Sequence, residues 1–229
     1  MGAQWKHAGR LASAAAKGRI FSRLAKEIIV AAKAGPDPAL NARLRAAVEA
    51  AKKASMPRDT LERAIKKGAG LLDEKATYET VIVEGFAPHR VPVIVECLTD
   101  STKRTMTNIR HVFRHGQLTP VAWDFAHVGL VDATPPAGAD VEEAAIEAGA
   151  QDFEPDGSGG VHFYTEPTDV DAVSKELSSR GWTVATMRIG WRAKNPVKLD
   201  EAARHEVEHF LGELDDDDDV QHIYVGLEP

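Results

Sequence analysis

The spacing of apolar residues is helical throughout the first seventy residues and first turns strand-like between residues 68 and 78, and that change limits the possible folds more than any other feature. Before it, apolar residues recur every three to four positions, as on one face of a helix. Residues 20–33 place Phe21, Leu24, Ala25, Ile28 and Ala32 together, with Arg23 and Lys26 roughly opposite. Gly35, Pro36 and Pro38 end that helix, because proline cannot continue it and glycine supplies a cap. Residues 39–54 are expected to bury Leu40, Leu44, Ala47 and Ala51, leaving Arg45, Lys52 and Lys53 outward. Pro57 suits the first turn of a third helix and Gly68 its end. There Leu61 and Ile65 face inward while Arg63, Lys66 and Lys67 face solvent.

After an acidic linker at residues 68–75 the pattern becomes that of strands. Residues 78–84 and 91–98 read as strands, the second almost continuously apolar and so central in a sheet. Asp100, Ser101 and Thr102 offer caps for a helix running through Arg114 to Gly116, and residues 119–126 are expected to form a strand. From Val128 the order is β-α-β-β-α-β, with strands at 128–133, 151–154, 161–165 and 182–189 and helices at 140–148 and 168–180. That order is the ferredoxin-like arrangement. A helix at 199–214 and a strand at 220–227 follow, with no partners of their own, and are expected to return to the strands of residues 77–126. The expectation is an α+β chain: an N-terminal helical bundle and two α/β domains, the ferredoxin-like unit inserted in the other. Its domains are 1–75, 76–127 with 196–229, and 128–195.

Charge divides at the same place. Residues 1–70 hold fifteen Lys and Arg against five Asp and Glu, whereas the rest holds thirteen against thirty. A cationic head on an anionic body suits a polyanion held at one end. Cations on the backs of successive helices would neutralise phosphates and release counterions, with little sequence information. The expected nucleic-acid-binding set is Lys6, Arg10, Lys17, Arg19, Arg23, Lys26, Arg43, Arg45, Lys52, Lys53, Arg58, Arg63, Lys66 and Lys67. The plain alternative is a set of solvated helical faces. Trp5, beside Lys6 and Arg10, suits either stacking on an unpaired base or packing in the bundle. No helix-turn-helix, zinc finger or RNP aromatic motif is present, so base-specific readout is not expected.

Motifs for bond-making chemistry fare less well. His205-Glu206-Val207-Glu208-His209 matches the H-E-x-x-H zinc-protease pattern. However, both histidines point away from the helix's apolar stripe of Ala203, Val207, Phe210, Leu211 and Leu214, and no third ligand follows. Residues 215–219 are five aspartates without the alternating ligands and glycine of a calcium loop, and read as a solvated turn. Gly157-Ser158-Gly159-Gly160 lacks the lysine and following helix of a phosphate cradle and reads as a hairpin turn. His111 and His115 stand four apart with no carboxylate or third histidine nearby. The single cysteine, Cys97, lies in an apolar run and reads as a small buried thiol. No enzyme, metal or cofactor is expected, the metalloprotease being the remote alternative. No apolar stretch approaches the ~20 residues of a membrane span. The first 26 residues lack acidic side chains, as transit peptides do, yet the family match below runs into them, so they are read as mature protein.

Taken in order, several segments resemble the YebC family: Lys17-Gly18-Arg19-Ile20-Phe21, Asn41-Ala42-Arg43-Leu44-Arg45, and Met56-Pro57-Arg58-Asp59-Thr60-Leu61-Glu62-Arg63 through Lys66-Lys67-Gly68. Further matches are Val83-Glu84-Gly85-Phe86, Val95-Glu96-Cys97-Leu98-Thr99-Asp100, Arg104-Thr105, Ile109-Arg110-His111-Val112-Phe113 and Asp218-Asp219-Val220-Gln221-His222-Ile223-Tyr224. The family is described as transcriptional regulatory proteins and includes a mitochondrial translational activator of a cytochrome c oxidase subunit. The resemblance implies a helical N-terminal domain with two α/β domains. It also implies control of gene expression through nucleic acid: DNA-binding regulation in some members, and ribosome-associated help with translation in others, including relief of stalling on proline-rich stretches. A cytoplasmic location follows, or a mitochondrial one for a eukaryotic source, with a protein partner for the acidic domains. Three departures stand out. The opening Gly-His-Ser-Lys-Trp and its basic extension become Gly2-Ala3-Gln4-Trp5-Lys6-His7-Ala8-Gly9-Arg10. A Gly-Gly turn becomes His89-Arg90, and the glycine-rich segment before Val121-Ala122-Trp123 shortens to Gln117-Leu118-Thr119-Pro120.

Overall fold

The computed structural model describes residues 14–72 and 77–228. Three helices come first: α1 (Ala14–Ala32), α2 (Ala42–Lys53) and α3 (Arg58–Gly68). Their apolar stripes close on one core that includes Ile28, Ala32, Leu44, Ala51 and Leu61. Crossing of α1 over α3 is tight enough to need a glycine. A Cβ on Gly68 would lie 2.3 Å from Ile29 O and 2.7 Å from Ala32 Cβ. The second helix starts later than expected. Asn41 caps it, its side chain accepting from Leu44 N–H at 3.0 Å. Asn41 Nδ2 also donates to Ala31 O, which fixes the cap against α1. Leu40 therefore lies before the helix and is 89% exposed, not buried.

One four-stranded sheet follows, built from β1 (Glu79–Phe86), β2 (Pro92–Thr99), β3 (Gln117–Leu118) and β8 (Val220–Val225), in the order β3-β1-β2-β8. The apolar run of β2 is central, paired antiparallel with β1 on one side and β8 on the other. Helices α4 (Thr102–Val112) and α7 (Glu201–Asp215) cover one face through Ile109, Val207, Phe210 and Leu211, joined by Phe113 from the 3₁₀ turn after α4. Cys97 is fully buried in this core, and burial pushes its thiol up to about 12.

The second sheet comprises β4 (Phe125–Thr134), β5 (Asp152–Pro155), β6 (Val161–Thr165) and β7 (Thr183–Ala193), with α5 (Val141–Ala148) and α6 (Val170–Ser179). Its order, β5-β6-β4-β7 with every pair antiparallel, is that of a ferredoxin-like sheet. The α+β class therefore holds, with a helical N-terminus ahead of two antiparallel sheets. Ile94 and Tyr224 from the first sheet pack with Leu130 and Tyr164 from the second, so the sheets share a core. Gly190 lets them approach, since a Cβ there would lie 2.6 Å from Tyr224 Oη.

Residues 119–126 do not form the expected strand. Pro120 has no N–H to give a ladder, and Val121 and Ala122 donate theirs to Glu84 Oε2, each at 2.7 Å. The chain makes a 3₁₀ turn at Ala122–Asp124 and enters β4 at Phe125. At residues 157–160 the hairpin reading agrees with the structure. Asp156 Oδ1 accepts from Ser158 and Gly160 N–H between β5 and β6.

Candidate nucleic-acid interface

Of the fourteen cations expected to grip phosphate, Lys6 and Arg10 lie outside the described residues, as does Trp5. The others divide into two groups. Lys17, Lys52, Arg58, Arg63 and Lys66 are exposed, with Arg45 and Lys67 half-buried. Lys52 ends α2 and Arg58 begins α3. The short turn between them, with Ser55 in the left-handed region at φ 61°, sets both on one end of the bundle. Arg58 pairs along its helix with Glu62 at 2.7 Å, and Arg43 pairs with Glu27 at 2.8 Å. Lys53 Nζ reaches Val184 O on β7 at 3.3 Å. Among the described residues no carboxylate lies within ion-pair distance of Lys17, Lys52 or Lys66, although Glu62 acts on Lys66 through space, so these exposed ammonium groups are open to an external anion.

Arg19, Arg23 and Lys26 behave differently, which corrects the expectation of an outward basic back on α1. Arg19 Nη2 lies 3.0 Å from Asp216 Oδ1, and Arg23 Nη1 lies 2.8 Å from Asp215 Oδ1. Arg23 also donates to the carbonyls of Asp215 and Asp217. Lys26 Nζ donates to Asp218 O at 2.7 Å and Asp219 Oδ1 at 2.6 Å. The aspartate run is thus a solvated turn only in part: Asp216 and Asp218 are exposed, but the others are half-buried or buried. Asp219 is 3% exposed, and its Oδ2 also accepts from Arg104 and Thr105, each at 2.8 Å, and from Thr99 at 3.2 Å. Burial alone would raise this carboxyl. The donors from Lys26, Arg104 and Thr105 outweigh it and hold the pKa at about 2. Asn108 fastens the same turn, donating to Asp217 Oδ2 at 2.8 Å.

Sequence reasoning missed this clasp and its members Thr99, Arg104, Thr105 and Asn108. The signal was present as complementarity: three cations at i, i+4 and i+7, and five carboxylates in a row. Nothing local couples segments 192 residues apart.

The remaining motifs take simple roles. His205 and His209 project outward from α7, whose Val207, Phe210 and Leu211 are buried. Among the described residues no group of three His, Cys, Asp or Glu side chains is placed to hold a metal ion. His111 is exposed on α4 and His115 on the turn after it. His89 and Arg90 both adopt φ near 58°, a region glycine enters freely, and His89 Nε2 lies 2.9 Å from Glu206 Oε2. Asp132 gathers His162, Thr186 and Arg188 in the second sheet. Thr186 donates to the carboxylate rather than to the histidine, so the cluster lacks the nucleophile–base contact of a catalytic triad. No helix among the described residues is long and apolar enough to cross a membrane.

Comparison with known proteins agrees along the chain. The TACO1/YebC protein N-terminal domain matches residues 3–71, and the TACO1/YebC second and third domain matches residues 78–227. A "Probable transcriptional regulatory protein" of Pseudomonas syringae pv. tomato is 57% identical, covering 99% of each chain. A protein with the same description from Polaromonas sp. is 56% identical over the same shares. Among solved structures, a conserved hypothetical protein from Aquifex aeolicus superposes with a TM-score of 0.86 at 39% identity, over 99% of this chain and 96% of that one. With both domain descriptions matched in order and relatives this similar end to end, the chain belongs to the TACO1/YebC family.

Proposed function

We propose that this protein is a non-enzymatic regulator of gene expression that binds DNA through its N-terminal helices and controls transcription. The observation that carries this is the set of exposed ammonium groups on one small bundle, Lys17, Lys52 and Lys66, joined by Arg58 and Arg63. Such a surface neutralises phosphates without reading bases, and Arg45 and Lys67 extend it. Relatives similar over their whole length are described as probable transcriptional regulatory proteins, which supports the choice of transcription. The acidic α/β part repels the same polyanion, so it orients the head on nucleic acid and offers its surface to protein.

Crosslinking in cells followed by recovery of bound nucleic acid tests the choice. Enrichment of promoter DNA is the expected result. Ribosomal RNA without DNA would move the activity to the ribosome and make the protein a translation factor of the kind some family members are.

A further inference from the structure

The junction between bundle and body is built from charge rather than from apolar packing. The core of α1–α3 closes on itself: among the described residues it takes Met56 from the α2–α3 turn and, from beyond the bundle, Tyr78. Across the junction, Arg19, Arg23 and Lys26 form one stripe of α1, and each takes a rung on the aspartate run at 3.0, 2.8 and 2.6 Å. Carbonyl oxygens of Asp215, Asp217 and Asp218 fill the spaces between the carboxylates. To a basic helix this array presents what a nucleic-acid backbone presents: closely spaced anionic oxygens that accept charge-assisted hydrogen bonds.

We infer that the aspartate turn is a built-in polyanion mimic, which withholds the Arg19, Arg23 and Lys26 stripe of α1 from nucleic acid and leaves Lys17 and the α2–α3 surface as the open grip. This rests on the nucleic-acid reading above and adds a regulation to it. The burial of the rungs separates a mask from a brace. The side chains of Lys26 and Asp219 are 13% and 5% exposed, whereas those of Arg19 and Asp216 are 34% and 68% exposed. The inner rung is a pivot, anchored by Arg104 and Thr105. The middle rung, Arg23 with Asp215, is 15% and 27% exposed, and only the outermost pair stays wet, a pair that stabilises little. A ladder open at its outer end braces poorly there and can exchange from that end for another polyanion. Its tether keeps the acidic turn at a high effective concentration beside α1, so it occupies the stripe by default.

The test is the salt dependence of binding to a mixed-sequence DNA duplex, measured for the whole chain and its variants. Asp215→Asn with Asp216→Asn opens the outer rungs and spares Asp217, whose Oδ1 caps the Asp219 N–H, and the Asp219 cluster. Glu142→Gln with Glu143→Gln on α5 removes the same charge elsewhere and serves as control. The Asn variant should bind more tightly than wild type. With two phosphates added, its log K against log salt should be steeper by about 1.8. Arg19→Gln with Arg23→Gln should cancel that gain in the Asn background and be nearly silent in wild type. This arginine variant decides the matter alone if the Asn variant does not keep the wild-type melting curve. Equal slopes, an equal gain from the α5 control, or weaker binding when the arginines are removed from wild type would each overturn the masking. Failure of wild type and all variants to bind duplex would instead overturn the nucleic-acid reading itself.

Discussion

Asp219 gathers hydrogen bonds from Lys26, Thr99, Arg104 and Thr105 on one buried carboxylate, and so joins the bundle, α4 and the last turn before β8. The sign of its contribution to stability follows from its lowered pKa, about 2 against a usual 3.8. A carboxyl depressed on folding stabilises the protein above its unfolded pKa, and that stability is lost as pH falls through the folded value. The window is therefore about pH 4 down to about pH 2. Discounted for screening at the half-open Arg104 side, the contribution is about 1 to 2 kcal/mol. Asp219→Asn should lower stability at pH 7 by about that amount and flatten the acid limb, as read by urea unfolding at a series of pH values. An unchanged acid limb would show that the cluster is not coupled to folding.

At the level of elements, the contact between α1 and α3 depends on Gly68 lacking a side chain. Gly68→Ala should cost about 1 to 3 kcal/mol, because the added methyl meets backbone and a helix Cβ rather than a flexible side-chain end. Thermal melting checks this, and a neutral result would mean that the helices separate freely. The elements legible in the sequence were those whose signal is local. The 3.6-residue stripe of Ile28, Leu44 and Leu61 and the β-α-β-β-α-β order are each fixed within a few residues of themselves. Two misreadings have tertiary causes. Residues 119–126 carry strand-forming Val121 and Phe125, but Glu84 on another strand takes the N–H groups at 121 and 122. Arg23 and Lys26 look solvated on a helical wheel, yet their partners arrive from the far end of the chain. The exposed part of the candidate site was legible because exposure needs no partner, and the clasp was not, because it is made of long-range pairs.

Over the whole molecule, a cationic bundle sits against an acidic body whose two sheets share one core, and the two parts meet through ion pairs. Under the function proposed above, the grip lies at one end and the sheets hold and orient it. On this reading the exposed cations of the bundle carry the affinity for nucleic acid. The most direct measurement is duplex binding as a function of salt for the whole chain with Lys17, Lys52 and Lys66 each changed to glutamate, alongside circular dichroism and melting. Binding should be abolished or its salt slope reduced by about 2.7, as three lost phosphate contacts require, with helicity and melting unchanged. Retained affinity and slope in the folded variant would contradict it and place the contact on the α/β body.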